Sequence, residues 1–100
     1  MGGAWSFIGA GFVAVSTKTL TYTPAFGEIV PVDATSAAIS IPLPTPVAGG
    51  APITVKKVDN SQNFVTVGGT IDGITNYVLT DPRQSITVAP NATSNGYWIL

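Results

Sequence analysis

The chain has 100 residues, of which 45% are hydrophobic and only 9% charged, a net charge of −1, and neither cysteine nor histidine. That length supports one domain. The missing residue types exclude disulfides, thiolate metal sites, cysteine nucleophiles, and histidine bases or zinc ligands. The four basic residues, Lys18, Lys56, Lys57 and Arg83, are too few and too scattered for the phosphate-neutralising stripe of a nucleic-acid binder.

The first fifteen residues are apolar and uncharged. They fall short of the roughly 20 residues of a membrane span and lack the basic start of a signal peptide. Two readings stay open. The segment is a first strand or arm buried against its own domain, or an anchoring arm whose Trp5, Phe7, Ile8 and Phe12 dock into a neighbour. The division expected is an arm over 1–15 and a β-domain over 16–100.

Proline, glycine and β-branched residues recur too often for helices, and short strand patterns follow one another. Thr17–Thr23 alternates, with Leu20 and Tyr22 on one face. Phe26–Val32 is a second stretch, broken by Gly27 and Pro31. Ala38–Leu43 turns Ile39, Ile41 and Leu43 inward and Ser40 and Pro42 outward, and its prolines suit an edge strand. Val47–Pro52, with Gly49-Gly50, is a loop.

Ile53–Val58 is a strand with Ile53, Val55 and Lys57 on one face. The polar turn Asp59–Asn63 then leads into Phe64–Val67, expected to return antiparallel as a hairpin and to end at Gly68-Gly69. Thr70–Gly73 reads as a tight turn with Gly73 at positive φ. Tyr77–Thr80, the Asp81-Pro82 turn, Gln84–Ala89, the Pro90–Gly96 loop and Tyr97–Leu100 complete the series. The fold class expected is all-β: a small antiparallel β-sandwich or barrel of about eight short strands with an apolar N-terminal arm.

No residue constellation points to catalysis, and no cofactor or metal is expected. Glu28, Asp33, Asp59, Asp72 and Asp81 all sit beside turn residues, where local hydrogen bonding accounts for them. A glycosidase needs two carboxylates facing each other across a cleft. Asp59, Asn60 and Asn63 do not follow the spacing of a calcium loop. Gly68-Gly69-Thr70 lacks the Lys-Ser/Thr of a phosphate loop. Lys56 and Lys57 must point to opposite faces, and one of them is expected to snorkel at a sheet or subunit edge.

Tyr97 and Trp98 must also face opposite ways. Trp98 and Tyr22 are candidates for core or oligomer interface rather than for a sugar platform. Asn60, Asn63, Asn91 and Asn95 mark candidate exposed binding loops. So few charges leave little to resist self-association, and a surface largely covered by other subunits is expected.

The segments Thr54-Val55-Lys56-Lys57-Val58-Asp59, Thr70-Ile71-Asp72-Gly73 and Gly96-Tyr97-Trp98-Ile99, preceded by Tyr22-Thr23-Pro24, Val32–Thr35 and Leu43-Pro44, carry a resemblance. In this order they resemble a small β-domain that recurs in tailed-bacteriophage virion proteins: tail fibres, spikes and head-decoration proteins. One departure lies in Thr93-Ser94-Asn95-Gly96, where the family often has a Ser-Asp-Gly turn.

The resemblance implies a non-enzymatic virion protein on the particle exterior, usually a homotrimer. A chain that starts at Met1 and carries no shaft or heptads suits a capsid decoration (cement) protein better than a fibre. Its partners would be itself and the major capsid protein or other virion proteins. The alternative is a tail-fibre or head-fibre module that binds a host surface glycan. A small depolymerase ranks last, for want of an acid–base pair. Neither nucleic acid nor membrane is an expected partner.

Overall fold

β-Branched residues at alternate positions favour strands, because a pleated backbone then places one apolar row on one face. In the computed structural model, which describes residues 13–93 and 95–100, these strands are β1 (Val13–Ala14), β2 (Glu28–Val32), β3 (Ile39–Pro42), β4 (Ile53–Lys57), β5 (Val65–Ile71), β6 (Ile74–Leu79), β7 (Ser85–Pro90) and β8 (Tyr97–Ile99). The fold is all-β, one mixed sheet curled into a half-barrel. Its order is β1-β2-β4-β7-β8-β5-β3, with β6 on the other side of β5.

The inward face carries one core. Val30 and Val32, Ile39 and Ile41, Ile53 and Val55, Val65 and Val67, and Ile86 and Val88 interleave with Ile71, Leu79 and Tyr97. Tyr22, Phe26, Leu43 and Val15 pack against its margin. The alternation expected for Ile39/Ile41, Ile53/Val55 and Ile86/Val88 holds, and β3 lies at the end of the sheet order, as its prolines require.

Four features differ from the sequence reading. First, the sheet is mixed rather than antiparallel. Pairs β1–β2, β2–β4, β3–β5 and β5–β8 are parallel, whereas β4–β7, β5–β6 and β7–β8 are antiparallel. The expected hairpin between β4 and β5 is absent. Both edges of β4 are already occupied, by β2 and β7, so the Asp59–Asn63 turn carries the chain across to the other half of the sheet.

Second, Thr17–Thr23 is not a strand. It makes one isolated bridge, Lys18 to Val32, with Lys18 N donating to Pro31 O (2.9 Å) and Asp33 N to Lys18 O (2.9 Å). Beyond that bridge β2 has ended, and no edge remains to pair with; Leu20 is left exposed.

Third, Gly68-Gly69 does not end β5. The register shifts between Val67 and Thr70, a β-bulge, and Gly69 takes φ +148 there. Its N–H is satisfied by Asn76 Oδ1 at 3.1 Å, from a residue itself at φ 63.

Fourth, the turn between β5 and β6 is tighter than Thr70–Gly73. Ile71 pairs with Ile74, and only Asp72 (φ 49) and Gly73 (φ 79) lie between them. Two successive positive φ values define the type I′ hairpin that matches strand twist.

Candidate functional site: a buried lysine clamp and the groove beside Trp98

At the end of β4 the alternation that buries Ile53 and Val55 also turns Lys57 into the core, and its side chain is completely buried. The two lysines face opposite ways, as alternation requires, and of the pair only Lys56 reaches the surface. Lys56 points outward and donates to Arg83 O at 2.6 Å.

The Lys57 ammonium is fully coordinated. It donates to Asp59 Oδ2 (2.8 Å), Ser61 O (2.6 Å) and Ser61 Oγ (3.3 Å). Asp59 in turn accepts from Ala34 N (2.9 Å) through Oδ1 and from Ser61 N (2.9 Å) and the Ser61 hydroxyl through Oδ2. Asn63 Nδ2 closes the cluster on Ala34 O (2.7 Å) and Thr35 O (3.2 Å).

Burial pushes the Asp59 carboxyl up, but the hydrogen bonds from Lys57, Ser61 and Ala34 outweigh it and hold the group well below the usual carboxylate range. This cluster ties β4 to the segment after β2, and among the described residues no buried side-chain polar atom lacks a partner. Asn63 belongs to it, whereas Asn60 is exposed on the turn.

The other acids are dispersed. Asp33 accepts from Thr35 N (2.9 Å) and Thr35 Oγ1 (2.6 Å), which lower its pKa. Glu28 accepts from Tyr22 OH (2.7 Å) and Ala25 N (3.1 Å). That bond to Glu28 raises the Tyr22 phenol, and Lys18 Nζ stands 4.2 Å from the ring centroid. Tyr22 is thus half-buried at the core margin. Among the described residues no three acidic side chains gather where they could hold a metal.

Tyr97 and Trp98 face opposite ways. Tyr97 is in the core, with its OH donating to Pro44 O at 2.7 Å, and burial pushes its phenol up to about 12. Trp98 is 52% exposed, so it is no core residue. It borders an open groove of about 430 Å³, also lined by Thr70, Asp72, Asn91 and Asn95. Asp72 grips the strand on either side of the tryptophan, once through its backbone and once through its carboxylate. Asp72 N donates to Tyr97 O (2.8 Å), and Ile99 N donates to Asp72 Oδ1 (3.3 Å).

The opposite wall is folded around Asn91. Its Oδ1 accepts from Thr93 N (3.1 Å), Thr93 Oγ1 (2.9 Å) and Asn95 N (3.3 Å), and its Nδ2 donates to Asn95 Oδ1 (2.8 Å). A β-carbon at Gly96 would stand 3.0 Å from Thr70 O, a tight contact that glycine avoids.

Asn91, Asn95 and Trp98 were legible as separate candidates. Asp72 was read as a turn residue alone. Its place beside Trp98 depends on the parallel pairing of Ile71 with Tyr97, which no local pattern announces.

Elsewhere several large apolar side chains are exposed. Five of the six residues of β6 are exposed and none is charged. Ile74 is 67% exposed and Phe64 53%. On the outer face, Ile29 pairs with Thr54 and Thr54 with Thr87, next to Leu100. Trp5, Phe7, Ile8 and Phe12 lie outside the described residues. No model of a known protein family matches the chain, and no curated protein matches it.

Proposed function

We propose that the protein is a non-enzymatic structural component of a bacteriophage virion, a decoration protein that assembles as a trimer on the outer capsid and stabilises it. The observation that carries this reading is the β6 edge. Six residues, ITNYVL, pair only with β5 among the described residues, carry no charge and leave Ile74, Tyr77 and Val78 exposed. An edge strand without lysine, proline or inward charge is open to pairing with another chain. The order of the strand and turn motifs, similar to that of virion β-domains, supplies the setting.

In such a role the protein binds the assembled shell and not its free subunits, and so stabilises the shell by mass action. Trp5, Phe7, Ile8 and Phe12 are the proposed anchor to the major capsid protein. Val13 and Val15 already hold the neighbouring segment to the domain, with Val13 N donating to Gly27 O (2.8 Å) and Val15 N to Ile29 O (3.1 Å). A truncation that tests the anchor therefore stops at residue 12.

The test is co-sedimentation of purified protein with undecorated phage capsids, alongside sedimentation velocity of the protein alone. A trimer bound at fixed stoichiometry is expected, with binding lost and the trimer kept on deletion of residues 1–12. A trimer that ignores capsids would move the reading to a tail or receptor-binding module. A monomer would remove the argument from the uncharged edge.

A further inference from the structure

The groove beside Trp98 has features that assembly on a capsid does not use. An exposed indole costs little when it is one of many scattered apolar side chains. Here the strand that carries it is fixed on both sides, while the ring stays 52% exposed. The Asp72–Gly73 turn bonds to the residues on both sides of it. Its cross-strand partner is Ala89, too small to cover an indole. Asn91 and Asn95, bonded to each other, line the same groove.

We propose that this groove binds a neutral saccharide, with the Trp98 ring stacking against the apolar face of one sugar unit and Asp72 and Asn95 bonding its hydroxyls. Each part follows from chemistry on the surface. A pyranose presents an apolar C–H face and a rim of hydroxyls. An indole matches the first. A carboxylate accepts from hydroxyl donors, while an amide both donates and accepts. The volume of about 430 Å³ falls within the roughly 300–1,000 Å³ typical of small-ligand clefts.

Charge selects among sugars. Asp72 is the one charged residue among those lining the groove, and no lysine or arginine lines it. Uronic and sialic acids would meet a carboxylate with no cation to offset it, so neutral units are preferred. The groove also binds without cleaving. Most glycosidases use a pair of carboxylates, and among the described residues a single one lines this cleft.

A subunit interface is the competing use of Trp98. Interface centres favour tryptophan but are depleted of aspartate, and Asp72 stands beside this ring, which favours the sugar.

The experiment uses the full chain. Trp98 fluorescence is distinguished from that of Trp5 by a Trp5→Phe background, and titrations use chitotriose, maltotriose, cellotriose and, as the acidic comparator, trigalacturonate. At least one neutral trisaccharide should perturb Trp98 saturably and bind at least tenfold more tightly than trigalacturonate. Trp98→Ala should weaken that binding at least tenfold by calorimetry, and Asp72→Asn, which keeps the turn, should weaken it severalfold. Circular dichroism and capsid co-sedimentation, read in chains that keep Trp5, should be unchanged by Trp98→Ala and by Asp72→Asn.

The proposal is overturned if no neutral trisaccharide binds, or if binding survives Trp98→Ala. A change of oligomeric state in Trp98→Ala without sugar binding would assign the ring to a subunit interface instead. Because capsid binding is read separately, failure here leaves the decoration role standing, and failure there leaves the groove testable.

Discussion

Lysine 57 shows how one residue can obey a local rule and still surprise. Alternation along β4 sends it inward, and what makes that position tolerable is Asp59, two residues beyond. Breaking a buried pair by removing one partner costs about 3–5 kcal/mol, because the other charge is stranded. Asp59→Ala should therefore lose about that much in urea unfolding. Lys57→Met should lose less, since Asp59 keeps donors from Ala34 N, Ser61 N and the Ser61 hydroxyl.

Asp59 also sets a pH dependence. Its folded pKa is lowered relative to the unfolded chain, so its contribution is complete above the unfolded value of about 3.9 and is lost as pH falls below it toward the folded pKa. Asp33, lowered in the same direction, adds to the same slope. Melting temperature measured from pH 7 to pH 2 should fall below about pH 4 in the native protein and fall less steeply in Asp59→Asn. At the alkaline end, the raised Tyr97 phenol has the opposite sign: its contribution is present below about 10 and lost as pH rises toward about 12. Tyr97→Phe leaves Pro44 O without its donor and should cost roughly 1 kcal/mol.

At the scale of the element, β5 and β6 carry the special backbone of the fold. Asp72 and Gly73 both take positive φ in the type I′ turn, and Asn76 takes it opposite the bulge. Gly73→Ala should cost about 1–2 kcal/mol in urea unfolding, through the left-handed backbone alone, since open space surrounds that position. Asn76→Ala should cost at least as much. It loses the same conformational tolerance and also the acceptor for Gly69 N.

The outer edge of the same hairpin carries the prediction about association. Val78 pairs with Thr66 and is exposed. Val78→Lys should lower the sedimentation coefficient of the assembled protein while shifting its urea midpoint little, because the charge blocks strand pairing without entering the core.

Across the whole molecule, strand faces were readable but strand partners were not. Ile39/Ile41, Ile53/Val55 and Ile86/Val88 declared their faces because a period of two is a property of adjacent residues. Thr17–Thr23 carried the same alternation and formed only one bridge, because a strand needs an edge to join and β2 ends at Val32. The β4–β5 hairpin looked natural in a polar five-residue turn. Yet β4 lies between β2 and β7, and β5 joins β3, β6 and β8.

The groove divides in the same way. Asn91, Asn95 and Trp98 could be picked out by residue type, and Asp72 joined them only through the pairing of Ile71 with Tyr97. By itself, then, the sequence determined the all-β class, the apolar rows, the edge position of the proline-rich strand and the positive φ of Gly73, all consequences of backbone sterics within a few residues. The tertiary structure alone decided the mixed sheet, the burial of Lys57 against Asp59 and the meeting of Asp72 with Trp98. Those depend on pairings between distant segments, where many registers satisfy the local rules and only the packing of one shared core selects among them.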